Sequence, residues 1–330
     1  MRIPTSWFLF FLMAAGSCFA ATQLRQLAMV YLPGAPGFQD VTLSGNYLLI
    51  SHVGNDSLDV FDIAKRRVIA QVKVAKPRGI AVDNARHRVY IASAGDNNIV
   101  VVPFQSWKIE STISLKLQPG PLAVSPDGKK LFIGHDQNQS ISVVNTDQPS
   151  EVTTEAVEGH PAALLYDGGR NRLYASLEDQ AQIAVLDPDL KVLRRHALTA
   201  SQPTAMALDP QSGRLFVAVR YAVVALDPED GRELGRVAAA AGVDSLWLDG
   251  AGKLYATASD ELDVMRTAGN GFVGEDQVPL KVRGHGIAFD SNRKLVLMPG
   301  GREGRSLVLI LRPLTAVRNP QTPAQALIPK

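Results

Sequence analysis

The chain has 330 residues, 46% of them apolar, and a formal charge of +2, which is enough apolar content for a large core and excludes a disordered or fibrous chain. Lys and Arg number 34 against 32 Asp and Glu, too even a balance for a strongly basic nucleic-acid reader. Cys18 is the only cysteine, so thiol catalysis, structural disulfides, iron–sulfur clusters and Cys-bound haem are excluded together.

In chain order the first element is a leader over 1–20. Arg2 precedes the apolar run WFLFFLMAAG, which is short for a bilayer span and is followed by SCFA. This predicts export to the periplasm or outside the cell, with cleavage after Ala20. Ala15-Gly16-Ser17-Cys18 also forms a loose lipobox, so lipid anchoring through Cys18 is the alternative. No other stretch is apolar enough to span a membrane, so the mature chain is expected to carry no transmembrane segment.

From residue 24 the chain repeats itself. Short apolar strands end at Ser44, Asp83, Ser125, Asp167, Asp209, Asp249 and Asp290, so seven units of about 41 residues follow one another. Within each unit a turn such as SPDGKK (125–130) leads to a second strand (YLLIS, VYIAS, LFIGH, LYASL, LFVAV, LYATA, LVLMP). A corner and a third strand follow (LDVFD, IVVVP, ISVVN, IAVLD, VVALD, LDVMR, LVLIL), then a variable polar fourth, such as VIAQVKV (68–74). Short alternating strands with turn signals about ten residues apart predict antiparallel sheets. Four strands per unit in seven tandem copies predict an all-β fold, a seven-bladed β-propeller in one domain over 21–312. Small residues on the first strands (Gly79, Ala81, Ala123, Ala205, Ala207) suit blades that crowd at an axis. The seventh unit lacks an outer strand, because the chain turns to a Pro-rich tail over 313–330. The unpaired strand LRQLAMVYL (24–32) is expected to supply it and close the ring.

The hairpin Val89-Tyr90-Ile91-Ala92-Ser93 with Asp96-Asn97-Asn98-Ile99-Val100-Val101 resembles the YVTN-type β-propeller repeat family. So do Leu173-Tyr174-Ala175-Ser176 with Ile183-Ala184-Val185-Leu186-Asp187, and the lead-in Lys76-Pro77-Arg78-Gly79-Ile80-Ala81-Val82-Asp83. Ala92-Ser93 stand where the eponymous motif has Thr-Asn. The resemblance spans roughly 24–312 and implies a fold rather than an activity.

In such a ring, the corners between second and third strands share one face with the lead-ins to the first strands. His52, His135, Glu178 and Arg220 fall at the corners, and Asp40, Arg78, His160, Asp244 and His285 at the lead-ins. Four of the six histidines therefore share the expected channel face, while His87 and His196 do not. Arg78 and Arg220 suit an anionic group, or else salt bridges to Asp40, Glu178 or Asp244. The predicted ligand-binding set is His52, Arg78, His135, His160, Glu178, Arg220 and His285, serving a protein or small-molecule ligand with no catalysis and no cofactor. The alternative is a divalent metal ion on His135, His160 and His285 in a lyase or lactone hydrolase, enzymes whose propellers are similar in architecture. No HxH or HExxH spacing supports the metal. The corner Pro299-Gly300-Gly301-Arg302-Glu303-Gly304-Arg305 reads either as an anion-binding turn or as a plain hairpin.

Recurrence at one repeat position marks Asp83, Asp167, Asp209, Asp249 and Asp290 as turn-forming residues rather than catalytic pairs. Asp62, Asp187 and Asp227, which close third strands, read the same way. Tyr90, Tyr174 and Tyr255 read as inter-blade packing. Nucleic acid is not an expected partner, and a monomer is expected.

Overall fold

The computed structural model describes residues 23–268 and 271–314. The leader over 1–20 with Cys18, and tail positions 315–330, lie outside the described residues. Seven antiparallel sheets form a ring of seven blades. In blade 4 the order from axis to rim is Pro161–Asp167, Arg172–Leu177, Gln182–Leu186 and Val192–Ala197, and blades 1, 2, 3, 5 and 6 repeat it. The first strand of each blade lies beside that of the next, and blade 7 returns to blade 1.

Each blade is an apolar wedge because its middle strands are buried on both faces. Alternate side chains then serve opposite neighbours. Ile80, Val89 and Ile91 of blade 2 pack on Leu49, Leu58 and Val60 of blade 1. Ala81, Tyr90 and Ala92 of the same strands pack on Leu122, Leu131 and Ile133 of blade 3. Seven such clusters fill the seven inter-blade gaps, and Tyr174 and Tyr255 sit in two of them as expected. Near the axis the gap closes to backbone distance. The Gly79 N–H donates to the Gly120 carbonyl, and a Cβ on Gly79 would lie 2.6 Å from that oxygen. Only glycine fits there.

Ring closure follows the expectation, shifted by one residue. Gln23–Tyr31 pairs antiparallel with Arg305–Leu314 and becomes the outer strand of blade 7. The last strand runs two residues past the expected end of the ring at 312. The seventh blade would otherwise expose a full sheet edge.

The strand-ending aspartates form turns. Asp167 Oδ1 accepts the Gly169 and Arg170 N–H groups, and Asp83, Asp209, Asp249 and Asp290 each accept an N–H two or three residues on. Asp62, Asp187 and Asp227 do the same after third strands. Three of these turns carry Arg three residues after the Asp, and that guanidinium crosses to the next blade. Arg86 reaches Asp147, Arg170 reaches Glu229, and Arg293 reaches Asn46. These clamps lie at the end of the ring opposite the channel face described below.

Candidate functional site

Two local features build the channel face. First strands of blades 1, 2 and 4 carry register breaks between Phe38 and Val41, between Pro77 and Ile80, and between Pro161 and Ala163. The residues in the breaks (Gln39, Asp40, Arg78, Gly79 and Ala162) leave the ladder and line the axis, as bulged residues do. Corners of the neighbouring strands close over the same end, as where the Glu178 N–H donates to the His160 carbonyl and the His160 N–H to Asp179 Oδ1 at 2.7 Å.

The result is an axial funnel of about 490 Å³. Its throat is apolar, with Leu122, Leu164, Met206 and Trp247, and its mouth holds Arg78, His160, Glu178 and His285 from three blades. Asp40, Asp136 and Asp244 line the funnel as well, so polar groups that can orient a ligand stand beside apolar surface that can bury it. Arg220 stands further out. With His160 and Glu178 it lines a rim cleft of about 450 Å³ between blades 4 and 5, its guanidinium 5.3 Å from the Tyr221 ring centre.

Two residues of the expected set are elsewhere. His52 and His135 end their second strands and point into the blades, with 0% and 1% of their surface exposed. His52 Nδ1 lies 2.7 Å from Asp59 Oδ2, and its Nε2 lies 2.8 Å from the Ala35 carbonyl. Two acceptors are satisfied together only when both ring nitrogens carry a proton, which favours the charged form. Burial opposes that charge, yet the Asp59 carboxylate and the Ala35 carbonyl hold its pKa above the ordinary value. Asp59 also accepts from Ser57 and Gln71. His135 has Ser142 where His52 has Asp59. Its Nδ1–H donates to the Gln118 carbonyl at 2.9 Å and its Nε2 accepts from Ser142 at 2.7 Å. Burial keeps His135 neutral by lowering its pKa. Both are structural, and the metal set of His135, His160 and His285 is not assembled. Among the described residues no three His, Cys, Asp or Glu side chains are grouped to hold a metal ion.

The mouth is electrostatically knit. Arg78 pairs with Asp136 at 3.1 Å, rather than with Asp40, Glu178 or Asp244. Asp136 is the corner residue that sequence reasoning passed over by placing His135 there. His285 Nδ1 lies 2.6 Å from Asp244 Oδ2 and its Nε2 3.3 Å from the Gln39 carbonyl. Burial works against protonation of His285, but the Asp244 carboxylate outweighs it and the pKa is raised. Asp40 responds the other way. Burial pushes its carboxyl up to about 6, against the pull of the Ile80 and Val41 N–H groups and the nearby His285 charge. Glu178 and Arg220 have no ion-pair partner among the described residues. His87 and His196 lie away from this face, with His196 buried and bonded to the Pro228 carbonyl. The corner 299–305 is a two-residue hairpin. Arg302 pairs with Arg305, and Glu303 and Gly304 take positive φ of 53° and 74°, as a type I′ turn requires.

No family profile matches the chain. It is 25% identical over 127 residues to Protein NirF of Stutzerimonas stutzeri, covering 37% of this chain and 32% of that protein. It is 25% identical over 184 residues to the uncharacterized protein YncE of Salmonella typhi, covering 53% and 51%. The chain thus aligns with about half or less of each of these relatives. Similar solved structures include virginiamycin B lyase from Staphylococcus aureus (TM-score 0.71, 13% identity, 88% of this chain and 99% of that one). Hydrazine synthase of Kuenenia stuttgartiensis (0.73, 16%, 87% and 98%) and the Cps50 (Swd1) β-propeller domain of Myceliophteria thermophila (0.71, 12%, 88% and 99%) are similar too. At these identities the likeness is one of fold, and the fold is a seven-bladed β-propeller. Among the described residues no helix is long and apolar enough to cross a membrane.

Proposed function

We propose that this chain is an exported β-propeller of the YVTN repeat type, a single ring over 21–312 after removal of the leader. It serves as a binding or scaffold module whose ligand or protein partner meets the channel face, without chemistry of its own. The observation that carries this reading is the convergence of Arg78, His160, Glu178 and His285, from three blades, on one funnel with an apolar throat. Rigid sheets hold those side chains on short loops, so little ordering entropy is lost on binding. The leader pattern supports export, and the near-neutral charge weighs against nucleic acid.

Native mass spectrometry of the protein purified from its own cells tests it. A bound mass should be retained by the wild type and by Arg172→Ala at the opposite end. It should be lost in Arg78→Ala and His160→Ala. Retention in the latter two would refute the reading.

A second reading, acid–base chemistry at the same mouth, is favoured by the Asp244–His285 pair beside Asp40. It predicts turnover abolished by His285→Ala. The metal-assisted version needs a ligand set other than the expected three histidines, because His135 is sealed in its blade.

A further inference from the structure

A second cavity, of about 870 Å³, lies between blades 6 and 7 on the channel face and shares Gly242, Asp244 and His285 with the funnel. Its cations flank one buried residue. Val282 is 3% exposed and packs into the core between blades 6 and 7, while Lys281 and Arg283 on either side of it are exposed and line the cleft. Arg283 stands opposite Gly301, and Arg302 follows as the last residue of the strand Leu295–Arg302. Gly301 itself leaves no room for a side chain, because a Cβ there would lie 2.9 Å from Pro36.

Five arginines elsewhere in the ring, Arg86, Arg88, Arg170, Arg236 and Arg293, hold carboxylates. Arg283 holds none among the described residues. Neither Lys281 nor Arg283 has an ion-pair partner among the described residues. Arg302 touches only its neighbour Glu303, at 3.3 Å, and that carboxylate is 79% exposed. Of the acids on the cleft, Asp244 is committed to His285 and Thr257, which leaves Asp260 and Glu303 against three cations. Like charges lining one cleft repel unless an opposite charge lies between them.

We infer that this cleft is an oxyanion subsite for a small molecule carrying at least two carboxylate or phosphate groups. Arg283 and Arg302 offer the flat two-pronged donor geometry that both groups accept, and Lys281 adds a point charge. The inference rests on the channel-face reading and adds the charge of the ligand to it, with the rest of the molecule extending past His285 into the funnel.

Isothermal titration of the full chain with citrate and with pyrophosphate, at low and at physiological ionic strength, tests the subsite. At least one probe should bind saturably, more weakly at higher salt. Citrate as the tighter probe assigns carboxylates, and pyrophosphate assigns phosphates. Arg283→Gln and Arg302→Gln should each weaken binding about tenfold, the scale of one lost charge-assisted hydrogen bond. Arg172→Gln should leave it unchanged, and circular dichroism should show all variants folded. Absence of saturable binding by either probe, or binding that survives the paired change Arg283→Gln with Arg302→Gln, would overturn the proposal. These probes are too small to need the funnel. A failed titration with loss of the native bound mass in His160→Ala therefore refutes the subsite and keeps the channel-face reading. A successful titration with that mass retained in His160→Ala does the reverse.

Discussion

Replacing His52 by alanine removes the buried latch that ties the segment between the closing strand and blade 1. Four contacts go at once: the 2.7 Å bond to Asp59, the 2.8 Å bond to the Ala35 carbonyl, the 3.2 Å contact of Nε2 with the Ser306 hydroxyl, and the stack on Phe38 at 4.6 Å between ring centres. Asp59 Oδ1 keeps Ser57 and Gln71, whereas Oδ2 loses the donor it has. Both residues are fully buried, so the carboxylate left behind is an uncompensated charge. Breaking such a pair costs about 3–5 kcal/mol, against about 0–1 kcal/mol for an exposed one. Urea unfolding followed by circular dichroism should show the midpoint falling with an unchanged slope. Adding Asp59→Ala should recover part of the loss, with a coupling on the order of 1–3 kcal/mol. The loss should also depend on pH. His52 is more basic folded than unfolded, so its contribution is complete below the ordinary histidine value of about 6.5 and fades as pH rises through the folded value. A loss below about 1 kcal/mol, strict additivity, or a gap that widens on going alkaline would refute the latch.

Three further outcomes follow from the fold and the mouth. Val30 lies opposite Val308, and the Leu32 N–H donates to the Ser306 carbonyl. By antiparallel alternation Val30 is also in a hydrogen-bonded pair, and Val30→Pro should cost about 3 kcal/mol and free the sheet edge of blade 7, seen as faster amide exchange over 305–314. Arg170→Ala removes the clamp from Asp167 to Glu229 and should cost about 1–2 kcal/mol in urea unfolding, because the Asp167 it leaves is buried. Asp40→Asn should flatten the pH dependence of urea unfolding, while it forfeits one of the two N–H bonds that the carboxylate accepts from Val41 and Ile80. A carboxyl raised to about 6 favours the fold while protonated and loses that preference as pH rises from about 4 to about 6, so the variant's stability should be flatter across that window.

The fold was legible because every blade repeats the same buried strands and the same Asp-led turns, so spacing alone numbered the blades and left one strand over for closure. Arg78, His160 and His285 were legible as mouth residues because each belongs to the entry of a first strand, the part of the repeat that lies at the axis on this face. His52 and His135 were misplaced by one residue. They stand in the column of Ser93, Leu177, Val219 and Ala258, which is buried in every blade. Glu178 and Arg220 stand one step later, in the true corner column with Asp136. The apolar character of Leu177, Val219 and Ala258 was the available signal. The Arg78–Asp136 and Asp244–His285 pairs join different blades, and no sequence period encodes which lead-in side chain meets which. That Lys281 and Arg283 meet no carboxylate among the described residues, and Arg302 only its exposed neighbour Glu303, was equally silent, because pairing is a matter of distance.

A crystal structure of the protein purified with its native ligand is the most direct test of the binding account. Density should occupy the axial mouth in contact with Arg78, His160 and His285, over the apolar throat. Density confined to the Asp83–Arg86 end of the ring, or to the outer edges of the blades, would contradict it.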